Sequence, residues 1–237
     1  MHICGFIVSI ITENFGNVIT FCIFCATISD MEKINYQKVL DSVIASFAPE
    51  QKPTILLQGC CGPCSSYVLE YLTQYFQVTL LYYNPNIRPE AEYNKRLQAL
   101  RELLAQMPTA SPVKVIEPGW RGEEFMQAVR GLENEPEGGA RCPVCFRLRL
   151  EETARLAAEG GYDYFGTTLT VSPHKNAPLL NAIGESLSKK YGVPWLPSDF
   201  KKRNGYLRSI QLSKQYGIYR QEYCGCGLPG DNFPQPD

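Results

Sequence analysis

The sequence predicts an α/β protein built on a mostly parallel sheet with helices on both faces. Three observations lead there. From residue 54 onward short apolar runs alternate with longer helical patterns, the order that produces parallel strand–helix–strand units. The short runs are apolar nearly throughout rather than alternating with polar residues, as strands covered on both faces are. Internal repeats, low-complexity stretches and linkers long enough to split a core are absent.

Taken in order, residues 31–47 read as a polar helix opening at Met31. Residues 54–58 form a short apolar strand, followed by a cysteine-bearing turn over 59–65 and an amphipathic helix to about Tyr75. A strand rich in Val, Leu and Tyr covers 77–83. Two prolines mark 84–89 as a turn, and 90–107 is a strongly periodic helix. Residues 112–117 give a third strand and 122–130 a helix, and the acidic, glycine-rich run 133–140 is a loop by composition. A long helix over 142–159, a strand over 163–169, a helix over 178–191, a last strand over 195–197 and a last helix over 206–216 complete the order. Ligands of such sheets bind in the crevice at the carboxyl ends of the strands. The turn after the first strand is therefore expected at that edge.

Residues 1–30 do not match the rest. Their apolar stretch is broken at 13–17, lacks a basic flank and is not followed by a clear small-residue cleavage site, so neither a signal peptide nor a membrane span fits. Met31 is read as the true start, with 1–30 a leader or mis-assigned extension and 31–237 one catalytic domain.

At 237 residues the chain can bury a substantial core without covalent staples. Yet it has ten cysteines, seven of them in three tight groups. Secreted disulfide scaffolds spread cysteines to close long loops, whereas metal sites and redox pairs place them two or three residues apart. The grouping points to a metal or dithiol in a reducing, cytoplasmic compartment. The net charge of −1 excludes a globally electrostatic nucleic-acid binder. A local basic patch is available in Lys201, Lys202, Arg203, Arg208, Lys214 and Arg220, interleaved with Tyr206, Tyr216, Tyr219 and Tyr223; a solvated helix face is the competing reading.

The first group, Cys60, Cys61 and Cys64, sits among small turn formers just before a helix, where the positive helix end favours thiolates for metal ligation or redox attack. Cys142 and Cys145 open the long helix and repeat that arrangement. Read by spacing alone, Cys61 with Cys64 and Cys142 with Cys145 make two CxxC pairs, the pattern of a four-thiolate metal site. Cys224 and Cys226 lie past the last helix; so close a pair makes a strained, easily reduced disulfide and hence a redox couple, or supplies two further metal ligands. His174, in the polar run after the fourth strand, and Asp199, after the last, belong to the same sheet edge; a packed or surface role is the alternative for that histidine, and a plain turn is the alternative for 84–87. No phosphate-cradling glycine loop is present, so ATP and dinucleotide cofactors lack support.

The stretches LLQGCCGPCS, YYNPNIRPEAEYNKR, CPVCFRLRLEETA, FGTTLTVSPHKN and SDFKKRNGYLRSIQLSKQYGIYRQEYCGC, in that order, closely resemble the epoxyqueuosine reductase family of the QueH type, from about Thr54 to Gly227. The resemblance implies reduction of epoxyqueuosine to queuosine at the wobble position of tRNA, without cobalamin. It implies a 4Fe-4S cluster on Cys60, Cys61, Cys142 and Cys145, which differs from the spacing-based pairing by using Cys60 in place of Cys64. Some relatives carry aspartate at the position of Cys64, which suits a ligand to an additional iron or other metal ion. Cys224 and Cys226 match the family's redox-active pair, making the C-terminal segment part of the metal and redox apparatus. The fold implied is similar to the Rossmann-like, adenine-nucleotide hydrolase-like group. Asp199, His174 and Tyr223 are candidates for the acid that protonates the epoxide oxygen. The partners implied are tRNA carrying epoxyqueuosine and an electron donor of unidentified nature, with no membrane. Two other classes remain: a zinc-stabilised tRNA-binding module, and an ATP-dependent tRNA-modifying transferase. Metal, sulfide and ATP-dependence measurements separate them.

Overall fold

The computed structural model describes residues 34–228, of which 35–228 fall within one compact unit. The predicted leader and the start at Met31 lie outside the described residues. The order is α1 (Tyr36–Ala45), β1 (Thr54–Gln58), α2 (Gly62–Leu72), β2 (Gln77–Leu81), α3 (Glu90–Gln106), β3 (Lys114–Ile116), α4 (Gly122–Ala128), α5 (Arg141–Glu159), β4 (Tyr164–Thr167), α6 (Ala177–Tyr191) and α7 (Gly205–Gln215). A single 3-10 turn, Leu169–Val171, follows β4.

The four strands are all parallel, in the order β3-β2-β1-β4. Alternation along each strand divides the core in two. Ile55, Leu57, Val78, Leu80 and Tyr82 join Leu40 of α1, Val68, Leu69 and Leu72 of α2, and Leu97, Leu100 and Leu103 of α3. Leu56, Leu81, Tyr83 and Phe165 turn to the opposite face, against Leu150 and Ala154 of α5 and Leu180 and Leu187 of α6. The apolar character of the strands thus has the expected cause. Both faces are covered.

The predicted strand at 195–197 is replaced by a single parallel bridge, Phe165 to Trp195. Phe165 donates to the Pro194 carbonyl at 3.0 Å, and Leu196 donates to the Phe165 carbonyl at 2.9 Å. Pro194 and Pro197 flank that bridge and have no amide hydrogen, so the ladder cannot extend. The segment is fastened by side chains instead: Asn181 of α6 accepts from the Trp195 indole and the Ser198 amide, both at 3.0 Å, and donates to the Ser198 carbonyl at 2.9 Å.

The chain runs β1 to β2 to β3 outward on one side and then returns to place β4 on the other side of β1. Between β1 and β4 the direction of winding reverses. That is the switch point at which open parallel sheets bind ligands.

Candidate functional site

Local chemistry explains why α2 begins where it does. Cys61 is its N-cap in extended conformation, and Pro63 in the first turn is pre-set for helix while lacking an amide that would go unbonded. Cys64 consequently lies inside the helix rather than in the preceding turn. Gly62 lets α2 approach its neighbour closely: a Cβ there would stand 2.9 Å from the Ala99 carbonyl oxygen of α3 and 3.0 Å from Ile218.

The sulfurs of Cys60, Cys61 and Cys64 all lie within 4.8 Å of one another. Among the described residues they are the group of three or more soft or acidic ligand atoms placed to hold a metal ion. Cys61 is buried and the other two are partly so. Cys60 and Cys61 are 3.7 Å apart, and the Gln221 amide donates to the Cys61 sulfur at 3.2 Å. Hydrogen bonding from Cys60 and Cys64 holds Cys61 well below the ordinary thiol range. The same contact to Cys61 pushes Cys60 up to about 12, and its hydrogen bonds to both neighbours raise Cys64 well above its ordinary value. One thiolate is therefore shared among three sulfurs, and a metal ion would displace the protons of the other two.

A cavity of about 650 Å³ opens beside this group. Cys60 and Cys64 enter its wall from the β1–α2 turn, Cys142 and Cys145 from the first turn of α5, and Cys224 and Cys226 from the C-terminal segment. The three cysteine groups, far apart in the chain, thus meet at one place. Cys142 accepts from the Gly138 amide at 3.1 Å, and burial raises both its thiol and that of Cys145, the latter to about 11. Cys224 and Cys226 stand 3.5 Å apart, hydrogen-bonded to each other as thiols rather than joined in a disulfide. A hydrogen bond from Cys226 lowers Cys224 to about 6, outweighing burial, with Lys175 assisting. Lys175 itself is pushed down by burial, but Cys224 and its 2.5 Å ion pair with Glu137 carry it above its ordinary value.

The base of the site is a buried polar network. Gln58 ends β1 and donates to the carbonyls of Gly59 and Tyr83, each at 3.2 Å, and to Asn84 at 3.1 Å. Asn84 in turn donates to the Gly59 carbonyl at 2.8 Å. Thr167 donates to Gln58 at 3.0 Å, and Arg149 donates to Asn84 at 2.7 Å. Next door, the Cys60 amide donates to the Thr168 hydroxyl at 3.3 Å. Residues at the ends of β1, β2 and β4 together fix the cysteine turn at the switch point.

Of the predicted acids, His174 and Tyr223 line the cavity. Asp199 is held by Lys201 at 2.6 Å and is not among the lining residues. The basic patch divides in the same way. Lys201 pairs with Asp199, Arg203 with Asp41 at 2.5 Å, and Arg208 with Glu70 at 2.6 Å, whereas Lys214 and Arg220 face the cavity. Arg220 lies over the Tyr206 ring, 5.3 Å from its centre, on the same wall.

The family model described as epoxyqueuosine reductase QueH matches residues 55–229, the stretch that contains all three cysteine groups. The chain belongs to the QueH family. A relative of that name from Streptococcus pyogenes is 45% identical over 204 residues, covering 85% of this chain and 80% of its own. Its counterpart from Staphylococcus epidermidis is 46% identical over 200 residues, covering 82% and 84%. The more distant Thermotoga maritima protein is 37% identical over 179 residues, covering 73% and 88%. This QueH chain has an α/β fold with a parallel sheet, and its cysteine triad can hold a metal. No helix among its described residues is long and apolar enough to cross a membrane.

Sequence reasoning missed Gln58, Arg149 and Gln221. Gln58 left a trace, as the polar end of an apolar strand, and Arg149 another, seven residues after Cys142 and four after Cys145 on one helix face. Gln221 left none.

Proposed function

We propose that this QueH chain reduces epoxyqueuosine to queuosine in tRNA, in the cytoplasm, with a 4Fe-4S cluster held by Cys60, Cys61, Cys142 and Cys145. The observation that carries the reading is the convergence of six cysteines on one cavity, two of them grouped with the buried Cys61. The donor set suits such a group: soft sulfur ligands and helix N-termini on two sides favour iron-sulfur binding. Cys64, within 4.8 Å of Cys60 and Cys61, is then left for an additional metal ion.

The reaction is epoxide plus two electrons and two protons giving alkene and water. When bound, the cluster supplies one-electron transfer. Closing the Cys224–Cys226 pair, a thiolate and a thiol, to a disulfide releases two electrons and one proton; the second proton of the turnover must come from an acid on the cavity wall, and an external reductant must then reopen the disulfide. With Cys224 held at about 6 it is a thiolate at neutral pH, ready for that exchange. The protein's remaining tasks are acid–base and positional. His174 and Tyr223, on the cavity wall, can give a proton to the leaving oxygen, and Arg220 with Tyr206 offers a cation and an aromatic face to the nucleotide.

The test is anaerobic reconstitution followed by assay on tRNA carrying epoxyqueuosine. The chain is expected to bind iron and sulfide and to form queuosine, and the Cys142→Ala, Cys145→Ala double variant to lose both. Normal turnover by that variant would sink the cluster's role.

A further inference from the structure

Arg149 is a buried cation whose charge is matched by no carboxylate among the described residues. Only 3% of it is exposed, and its hydrogen bonds run to two neutral amide oxygens, Asn84 Oδ1 at 2.7 Å and Gln58 Oε1 at 3.3 Å. Its Nε hydrogen has no partner among the described residues, and no ion pair involving it occurs among them. Arg96, another buried arginine of this wall, is different, since Glu92 binds it at 2.6 Å. A guanidinium cannot shed its proton to escape burial as lysine can. An isolated buried charge persists only where something of opposite sign compensates it.

The compensating charge is indicated by position. Arg149 stands on α5 one turn beyond Cys145 and two beyond Cys142, on the same face, and it lines the cavity together with both cysteines and Cys60. Through Asn84 and the Gly59 carbonyl it is also tied to the turn that carries Cys60. Arg149 thus shares one cavity wall with Cys60, Cys142 and Cys145 and is paired with no carboxylate among the described residues.

We infer that Arg149 is the built-in counter-charge of the sulfur centre, a positioning residue that raises the centre's reduction potential. This rests on the cluster reading above. A fixed positive charge in a low-dielectric site stabilises the more negative, reduced state of any centre beside it, so its removal makes reduction harder. The amide clamp from Gln58 and Asn84 matters because it prevents the guanidinium from turning toward solvent.

The experiment compares wild type, Arg149→Lys, Arg149→Met and Arg149→Gln after anaerobic reconstitution of the full chain. Iron and sulfide are measured first, and then the midpoint potential by dithionite titration with mediators, read by electron paramagnetic resonance. The neutral variants are expected to hold iron and sulfide as wild type does and to lose at least about tenfold in the one-electron reduction equilibrium, about 59 mV toward negative potential. The lysine variant is expected to keep most of the wild-type value. Failure of only the neutral variants to retain the metal also supports the inference, since charge rather than shape then decides binding. Equal metal content with unchanged potential overturns it, as does equal loss in the lysine variant. Unchanged potential with a raised KM for tRNA would transfer the guanidinium to substrate binding. A wild-type chain that binds no iron or sulfide overturns the cluster reading and this inference together.

Discussion

Alkylation of the metal-free chain separates the two C-terminal cysteines. The reactive form is the thiolate, so the rate at each cysteine rises as pH passes upward through its pKa. Cys224 should react with a midpoint near pH 6, well below the roughly 8.5 of a free thiol, because its largest perturbation is the hydrogen bond from Cys226. Cys226→Ala removes that donor and should move the midpoint upward; Lys175→Met should move it in the same direction by less. Mass-spectrometric labelling between pH 5 and 9 measures both, and a Cys224 midpoint that stays near 8.5 in the wild type would contradict the geometry. At this scale the cysteines were legible from their spacing, but their surroundings were not. Gln58 and Arg149 bond across 91 positions of chain, and such a pair leaves no local pattern. The choice between Cys60 and Cys64 as fourth ligand is equally invisible to spacing, since the fold brings all three sulfurs together.

Elements were legible wherever periodicity and packing agree. The strand at 54–58 coincides with β1, and α3, α5 and α6 start or end within a residue of expectation. The failures have local causes. Helix α2 begins earlier than expected because Pro63 suits its first turn, and 195–197 contributes one bridge because prolines flank it. Close packing leads to two element-level predictions. A Cβ at Gly184 of α6 would come within 2.1 Å of the Trp195 ring, so Gly184→Ala should cost about 1–3 kcal/mol in denaturant unfolding as the indole is forced off Asn181. Asp163, just before β4, accepts from both the amide and the hydroxyl of Thr54 at 2.8 Å and so ties the starts of β1 and β4 together. Those hydrogen bonds, the backbone one first, lower its carboxyl pKa. The folded pKa lies below the unfolded one, so the stabilisation is present above the unfolded carboxylate range and is lost as pH falls through the lowered value. Asp163→Ala should therefore cost about 1 kcal/mol at neutral pH. The gap from wild type should close in acid; a gap constant down to pH 3 would show that the carboxylate is not its source.

For the whole molecule, a net charge of −1 means that tRNA must be drawn by a local field rather than by the protein as a whole. The cations of α7 and the turn before it are mostly occupied by carboxylates, while Arg220 and Lys214 face the cavity. Arg220→Ala should therefore weaken tRNA binding and reduce its salt slope by about one. Arg203→Ala, already paired with Asp41, should leave the slope nearly unchanged. Binding isotherms at several salt concentrations decide between them, and the reverse order would place the RNA on the α7 face. The general location of the site at the carboxyl ends of the strands was predictable from fold class alone. The side of β1 on which it lies was not, because strand order depends on crossovers that composition does not encode.

The proline-flanked bridge beside β4 has a consequence beyond shaping the core. An open sheet presents unpaired backbone at its two margins, which invites a second chain to add a strand. Here one margin is capped by a segment that Pro194 and Pro197 prevent from propagating, and the other is the three-residue β3, which begins with the exposed Lys114. Neither margin is a template for self-templated aggregation. The described sheet is therefore expected to show no edge-to-edge association at high concentration, which light scattering of the metal-free chain would check.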